Sequence, residues 1–399
     1  MPDDSLQAAG ILLASAALRL SLFATSLPEK LALWPEISTP LTSFRHLREG
    51  AHLRQLGIDP YGGSSFHQAP ALLALFSSEF LASRWSTAMA WTVVDLLSAL
   101  IVCRLAQQRP TPTPLRVLAI ASFHPFTIVS CLARTTAPLA HAITLASILA
   151  SSSGHGYASM MLLALACHVS PVAILLLAPV SMLSLRQSPG SVRGVSLIHL
   201  SMFFVSTAAL LAFSRLWLGS WSFMDSYIVF LTVSDLTPTI GLSWYFFIEM
   251  FDHFRSFFVA TFQLHLLIYV APVCIKLRRD PLYACATIIG IGSLFQSYPS
   301  VSDVALYHSL LPLYPEIMPH LRHPMLTACL LLYATALLKS FHHLWLYAGS
   351  GNANFYYAST LVWNLGLGLG LIDNVWAFLT HDFLTRHKLD KDTTVVSQR

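Results

Sequence analysis

Long apolar runs recur along the whole chain, and they constrain the fold more than any other feature of the sequence. Each run has roughly 15 to 25 residues, which is long enough, or nearly so, for a helix that crosses a bilayer core of about 30 Å. Only 11% of the 399 residues are charged and 55% are hydrophobic, whereas soluble domains carry about 25% charged residues. The sequence therefore predicts an all-α, polytopic membrane protein, with residues 1–399 forming one integral membrane domain.

The apolar runs predict about twelve membrane spans, each with boundaries uncertain by a few residues. They are expected near residues 6–27, 86–106, 115–133, 138–152, 157–169, 171–185, 195–217, 254–276, 281–297, 304–318, 324–339 and 354–379.

The basic residues of the short loops predict the orientation of the chain, because Lys and Arg accumulate on the cytosolic side. Three basic connections, 103–116, 186–193 and 276–280, and the tail 380–399 fall on one side of the predicted spans. Both termini are therefore expected in the cytosol. The segments expected on the opposite, luminal side are 28–85, 218–253, 298–303 and 340–353.

The first luminal segment, 28–85, is predicted to lie on the membrane rather than cross it. In residues 40–57 the apolar side chains recur every three or four positions and the other face is basic, which is typical of an amphipathic surface helix. Residues 68–84 form a short apolar stretch that contains Glu79, and we interpret them as re-entrant or interfacial.

The second luminal segment, 218–253, ends in "DLTPTIGLSWYFFIEMFDHF" (235–254), where acids and a histidine stand among aromatics. We expect one interfacial helix from Gly241 onward, with Glu249 and His253 on one face, Asp252 beside it and Trp244 in an aromatic belt. A metal site and acid–base catalysis are both alternatives, but neither has further ligands or a visible pocket. A recognition surface for lipid head groups or partner subunits is favoured.

Each single ionisable residue within a span is a candidate functional residue by default, because ionisable groups are costly near hydrocarbon. Asp95 is the main example, and we expect a helix–helix hydrogen bond there, with Arg19 or Arg134 as partner. Asp303 is expected to cap the start of a span. We predict no catalytic residue, metal site or cofactor in this chain. The net charge of +4 does not suggest nucleic acid.

Several long stretches closely resemble the PIG-U family, whose members are membrane subunits of the GPI transamidase of the endoplasmic reticulum. The stretches are "SDLTPTIGLSWYFFIEMFDHFRSFFVATFQ", "FQSYPSVSDVALY", "HLWLYAGSGNANFYYA", "LGIDPYGGSSFHQAPAL" and "HPFTIVSCLARTT". The resemblance implies a non-catalytic subunit that helps to bind and present the GPI lipid, with the C-terminal signal of the proprotein as a further candidate ligand. It also implies other transamidase subunits as partners, including a cysteine-protease-like one that carries the catalytic Cys and His.

The resemblance directs attention to "YAGSGNANFYYA" (347–358), where the family also has Asn-x-Asn. It implies contact of Asn352 and Asn354 with the GPI head group, since amides suit phosphates and sugar hydroxyls. Gly351 would allow close backbone approach, and Tyr347 stands beside it. The alternative is an ordinary helix N-cap and turn.

The layout of the first span and first luminal segment also resembles the GT-C glycosyltransferases. Those enzymes place acidic residues early in that segment, whereas this chain has "STPLTSFRHLREG", with Glu36 and Glu49 unpaired. We expect a GT-C-like arrangement that lacks the catalytic acids. The alternative function is an endoplasmic reticulum glycosyltransferase that uses a lipid-phosphate sugar donor. A transporter is a third and less favoured hypothesis.

Overall fold

The computed structural model describes residues 2–63, 65–187 and 192–389, and the chain divides into two compact units, Met1–Leu310 and Leu311–Arg399. All regular elements in these described ranges are helical. The helices of the first unit are α1 (Pro2–Phe23), α2 (Leu27–Leu31), α3 (Phe44–Gln55), α4 (Pro70–Leu75), α5 (Ser78–Ala82), α6 (Arg84–Gln107), α7 (Pro114–Ser122), α8 (Pro125–Leu132), α9 (Ala137–Ser152), α10 (Gly156–Val169), α11 (Leu177–Gln187), α12 (Val192–Leu218), α13 (Met224–Thr232), α14 (Ser243–Glu249), α15 (Asp252–Ile268), α16 (Val270–Lys276), α17 (Pro281–Phe295) and α18 (Val301–Leu310). The second unit holds α19 (Pro324–Leu346) and α20 (Ala353–His387), and 3₁₀ helices lie at Pro171–Leu176, Leu311–Leu313 and Pro315–His320.

The predicted helical membrane architecture is confirmed, but the count of twelve spans is not. Within the described ranges, six helical segments are long and apolar enough to cross a membrane: Asp4–Phe23, Arg84–Gln107, Ser196–Leu218, Asp252–Lys276, Pro324–Leu346 and Ala353–His387. The pair α7 and α8 makes a seventh if it counts as one span bent by 45°. Other predicted spans, such as 138–152 and 281–297, correspond to apolar helices of 10–17 residues.

The bend between α7 and α8 has a clear cause in the sequence. Pro125 has no N–H to donate and opens α8. His124 is extended, and its Nδ1 accepts a hydrogen bond from the Phe126 N–H at 3.3 Å. The predicted span at 115–133 is therefore broken in its middle.

Segments 28–85, 218–253 and 298–303, which were predicted to be luminal, lie together in the first unit at one end, which we call the pocket end (residues 24–63, 65–83, 133–137, 218–252 and 296–303). The Thr136 N–H donates to the Thr42 carbonyl at 2.9 Å, and the Val301 N–H donates to the Glu36 carbonyl at 2.9 Å. Ser243 Oγ donates to the Ser297 carbonyl at 2.9 Å. Segment 28–85 thus shares an end with segment 218–253, as the predicted spans require.

The basic connections lie together at a different place, which we call the basic end (residues 107–113, 153–155, 186–187 and 277–280). Arg109 Nη1 contacts Asp280 Oδ2 at 2.9 Å, and Arg186 Nη2 donates to the Arg278 carbonyl at 2.9 Å. Gln108 Nε2 donates to Ser153 Oγ at 2.9 Å. The loops that were expected to share one membrane face are therefore close in space. Residues 188–191 of the predicted loop 186–193 lie outside the described residues.

In segment 28–85, residues 44–55 of the predicted amphipathic helix are helical. α3 buries Phe44, Leu47 and Ala51, while its basic face remains outside the core. Ser43 caps its start, and the chain turns at Gly57, whose φ of 74° favours glycine. Residues 68–84 form the two short helices α4 and α5 instead of a span.

The second unit is built around α19 and α20, which pack along each other. Both oxygens of Asp373 on α20 accept hydrogen bonds from the Arg322 N–H (2.9 and 3.1 Å), and Oδ2 also accepts from the His323 N–H (2.8 Å). These bonds satisfy N–H groups just before α19 begins. α20 continues to His387, so the predicted cytosolic tail 380–399 begins as helix; its residues 390–399 lie outside the described residues.

Candidate functional site

The expected single helix through 241–254 is wrong, because the structure breaks it in two. α14 ends at Glu249, Met250 is extended with ψ of 140°, and α15 starts at Asp252. Glu249 and His253 therefore do not share a helix face. The sequence carries one signal for this break: Asp252 is an acid of the type that begins helices.

Trp244 does not lie in an exposed aromatic belt. It is 2% exposed and packs inside the pocket end. Glu249, Asp252 and His253 are exposed, as are Phe251 and Phe254 around them. The part of this stretch that is available for recognition is thus the junction of α14 and α15.

The Asn-x-Asn stretch forms the start of α20 in the second unit. Asn352 Oδ1 accepts a hydrogen bond from the Phe355 N–H at 3.3 Å, so Asn352 is the N-cap. A Cβ on Gly351 would lie 3.1 Å from Leu344 Cβ and from the Trp345 nitrogen, so the backbone packs closely there. Asn352 and Asn354 are exposed, and Tyr347 is 68% exposed. The four residues therefore form one accessible surface at a helix start.

Asp95 on α6 bonds to Arg19 on α1, so Arg19, and not Arg134, is its partner. Arg19 Nε donates to Asp95 Oδ2 at 2.8 Å, and Nη2 contacts the same oxygen. Arg134 instead lies beside the rings of Phe23 and Phe44. Asp95 has the expected helix–helix role, and it also borders a small cavity of about 420 Å³.

The pocket end contains a cavity of about 630 Å³, which we call the polar chamber. Polar residues from six separate stretches of the chain contribute to its wall. The polar lining residues are Thr42, His67, Thr136, His141, His168, Ser170, Ser226, Tyr227, Gln296, Tyr298 and Asp303.

One contact in the wall of the polar chamber joins α9 to α18. His141 Nε2 lies 3.2 Å from Asp303 Oδ1, and Ser302 Oγ lies 3.4 Å from His141 Nδ1. Asp303 Oδ2 accepts from both the N–H and the Oγ of Ser300 at 2.8 Å, which is the capping role expected for this residue. Burial raises the pKa of Asp303, but the bonds from His141 and Ser300 outweigh it and hold the pKa below its usual value.

Two tyrosines complete the wall of the polar chamber. Tyr227 Oη lies 2.6 Å from His168 Nδ1, and Tyr298 Oη donates to the Asp235 carbonyl at 2.9 Å. Burial raises the pKa of both phenols, so they stay protonated donors. No three His, Cys, Asp or Glu side chains in the described part of the chain are placed to hold a metal ion. The polar chamber is therefore equipped for hydrogen bonding.

A second cavity of about 450 Å³ adjoins the polar chamber, and we call it the apolar chamber. The two cavities share lining residues, among them His141, Gln296 and Asp303. The rest of the apolar chamber is mostly aliphatic: Val172, Leu175 and Leu176 come from the 3₁₀ helix, and Ile288 and Ile289 come from α17. The pair of chambers therefore changes from polar to apolar along its length.

Sequence reasoning did not find this double cavity. His141, His168 and Gln296 each stand alone in an apolar run, and a single polar residue there more often fills a packing gap. The available signal was that these three residues lie near the predicted luminal ends of spans. Their assembly depends on the packing of α9 against α18, which brings His141 to Asp303 across a separation of 162 residues in the sequence.

The fold and these surfaces can be compared with known proteins. The family model described as "GPI transamidase subunit PIG-U" matches residues 13–363. The chain belongs to the PIG-U family. It is 35% identical over 398 residues to the GPI transamidase component GAB1 homolog of Schizosaccharomyces pombe, with 97% of each chain covered.

Two further relatives agree with this assignment. The GPI-anchor transamidase component PIGU of Homo sapiens is 32% identical over 417 residues, with 95% of each chain covered. The GPI transamidase component GAB1 of Saccharomyces cerevisiae is 33% identical over 372 residues, with 90% of each covered. The matched region includes the polar chamber and the Asn352 surface.

Proposed function

We propose that this chain is a non-catalytic membrane subunit of a GPI transamidase in the endoplasmic reticulum, which binds the GPI lipid and presents it for transfer. The observation that carries the proposal is membership of the PIG-U family over residues 13–363, among relatives named as components of that transamidase. The partners of the chain are then the other subunits, including the cysteine-protease-like one that supplies the catalytic Cys and His. The C-terminal signal of the proprotein is a further candidate ligand.

The start of α20 is the proposed contact with the GPI head group. Asn352 and Asn354 are exposed there, and the exposed Tyr347 ring stands beside them. The N-terminus of a 35-residue helix carries partial positive charge, which favours the phosphates of the lipid. The exposed residues at the α14–α15 junction, Glu249, Asp252 and His253, are the second proposed recognition surface.

The proposed orientation places the pocket end in the lumen and the basic end in the cytosol, because Lys and Arg accumulate on the cytosolic side. Both termini are then cytosolic. Glycosylation acceptor sites inserted after Gly63 and after Pro110 measure this directly. We expect modification at the first site and not at the second, and the reverse pattern would contradict the orientation.

The experiment that tests the function is deletion of the gene, followed by extraction of the glycolipids. We expect complete, fully mannosylated GPI to accumulate while proproteins keep their C-terminal signals, because the block is at transfer. An under-mannosylated GPI would instead make the chain a glycosyltransferase. The search for its catalytic acid would then begin with Glu36, Glu49 and Asp303.

A further inference from the structure

We propose that Arg134, together with Arg48 and Arg84, binds the phosphate of an anionic phospholipid whose acyl chain lies along the exposed face of α6. Arg134 follows α8, Arg48 lies on α3, and Arg84 begins α6. We call these three side chains the arginine cluster. The inference does not depend on the transamidase function, because it concerns a lipid of the surrounding bilayer and a site within the unit Met1–Leu310.

Arg134 is a buried cation without a hydrogen-bonded counter-charge in the described part of the chain. The residue is 8% exposed, and its Nε and Nη2 are buried and have no hydrogen-bond partner. Its guanidinium carbon lies 5.2 Å from the centre of the Phe23 ring and 5.4 Å from that of Phe44. Aromatic rings attract a cation, but they do not replace a hydrogen-bonded anion. Because buried charges in folded proteins are normally paired, Arg134 points to an anionic ligand.

Two further arginines make the surroundings of Arg134 positive. Arg48 is exposed one helical turn after Phe44 on α3, and Arg84 is exposed at the start of α6. Both are close enough to repel Arg134, whereas Glu29 is close enough to attract it. Glu29 is itself exposed and forms no ion pair within the described ranges. Three cations beside one carboxylate favour an anion, and the planar donors of arginine suit phosphate oxygens.

The arginine cluster lies where three membrane helices end. The candidate span of α1 ends at Phe23, and that of α6 begins at Arg84. Arg84 Nε donates to the Phe23 carbonyl at 2.9 Å, which joins these two ends. Arg134 comes two residues after Leu132, the last residue of α8. Because lipid head groups lie at the level where spans end, the cluster is placed to meet a lipid phosphate.

An exposed apolar stripe on α6 begins one residue after Arg84. Its members recur every four residues and are each about half exposed: Trp85, Met89, Val93 and Leu97. The helix rises about 18 Å between residues 85 and 97, and one leaflet of a bilayer core is about 15 Å thick. The stripe is therefore as long as one acyl chain. This favours a lipid over free phosphate or an acidic peptide as the ligand.

The test uses the full chain in phosphatidylcholine nanodiscs, together with the subunits that co-purify. The probe is phosphatidylglycerol with a diazirine in its acyl chain, and phosphatidylcholine with the same chain is the comparison lipid. Labelled residues are mapped by mass spectrometry after irradiation. We expect phosphatidylglycerol to label residues 85–97 about tenfold more than the comparison lipid, a ratio that one charge-assisted hydrogen bond supports. Excess inorganic phosphate should not remove this preference, because the acyl chain keeps the lipid at the site.

Two variants and a matched control assign the preference to the arginine cluster. Arg134→Gln removes the buried charge and should lower labelling by phosphatidylglycerol about tenfold. Arg48→Gln removes an exposed charge, with an expected loss of about two- to threefold. Arg104→Gln should leave labelling unchanged, because Arg104 is an exposed arginine near the other end of α6.

The melting temperature separates lost binding from lost folding. An unpaired buried cation is costly, so Arg134→Gln should not lower the melting temperature in phosphatidylcholine alone. Phosphatidylglycerol should raise the melting temperature of the wild type more than that of Arg134→Gln, because a ligand stabilises the state that binds it. If Arg134→Gln is not recovered as folded protein, Arg48→Gln decides the question alone, since Arg48 is exposed.

Four results would overturn the proposal. The first is equal labelling of residues 85–97 by the two lipids, and the second is a preference that survives Arg134→Gln. The third is a preference that excess inorganic phosphate removes, which would make the arginine cluster a site for free phosphate. The fourth is an unlabelled wild type together with loss of co-purifying subunits in Arg134→Gln, which would mean that an acidic surface of a partner subunit fills the cluster.

Discussion

Arg19 and Asp95 form an ion pair inside the first unit, with side chains only 1% and 7% exposed. Arg19 Nε donates to Asp95 Oδ2 at 2.8 Å, and Nη1 also donates to Ser15. The pair links α1 to α6 among apolar helices. A buried pair of this kind often contributes little net stability, whereas an unpaired buried charge is strongly destabilising.

Asp95→Ala should therefore destabilise the protein by about 3–5 kcal/mol, because it leaves the Arg19 guanidinium buried without its carboxylate. The double variant Arg19→Met with Asp95→Leu should recover most of that loss. Thermal unfolding in detergent measures both. A double variant that is no more stable than Asp95→Ala would show that the charges have a role beyond pairing with each other.

Asn352 has two proposed roles, the helix cap and the GPI contact, and substitutions separate them. Asn352→Ser keeps a capping oxygen and removes the amide, whereas Asn352→Ala removes both and should cost about 1 kcal/mol. If Asn352 binds the head group, Asn352→Ser lowers surface display of GPI-anchored proteins while the melting temperature stays near that of the wild type.

Asn354→Ala is the matched substitution for the Asn352 series, because Asn354 is exposed in the same turn and does not cap α20 at Phe355. We expect it to lower display without a large change in stability. Normal display in both Asn352→Ser and Asn354→Ala would leave Asn352 with the capping role alone.

Much of this fold follows from local sequence, and the rest does not, for physical reasons. The amphipathic helix α3 and its Ser43 cap follow from periodicity and from residues that are neighbours in the chain. The partner of Asp95 did not follow, since Arg19 and Arg134 are equally basic and only helix packing brings Arg19 into contact. The span count did not follow because short apolar helices and membrane-crossing helices have similar compositions.

The candidate sites also have some features that follow from local sequence and others that do not. Asp303 was expected as a cap from its position next to a helix start, and its bonds to Ser300 are local. Its bond to His141 depends on the packing of α18 against α9 and has no local signal. The break after Glu249 was missed because aromatic-rich runs fit one helix as well as two.

The α14–α15 junction carries the next prediction. Substituting Glu249→Gln and His253→Asn together should leave expression and melting temperature near wild type, since both residues are exposed. It should weaken co-purification of partner subunits or surface display of GPI-anchored proteins. Trp244→Ala is the contrasting variant, because Trp244 is 2% exposed and its truncation should cost about 3–5 kcal/mol. Normal assembly and normal display in the double variant would show that the α14–α15 junction is not a recognition surface.

The lowered pKa of Asp303 predicts that the stability of the folded protein depends on pH. Its pKa is lowered in the folded protein, so the stability that it contributes is fully present above its unfolded pKa of about 4 and is lost as pH falls through the folded value. Asp303→Asn keeps the size of the side chain and lacks this contribution. The difference in melting temperature between wild type and Asp303→Asn should be present at about pH 5 and should shrink below about pH 4. A difference that is unchanged at about pH 3, or that grows as the pH falls, would mean that the carboxylate is not held ionised by His141 and Ser300.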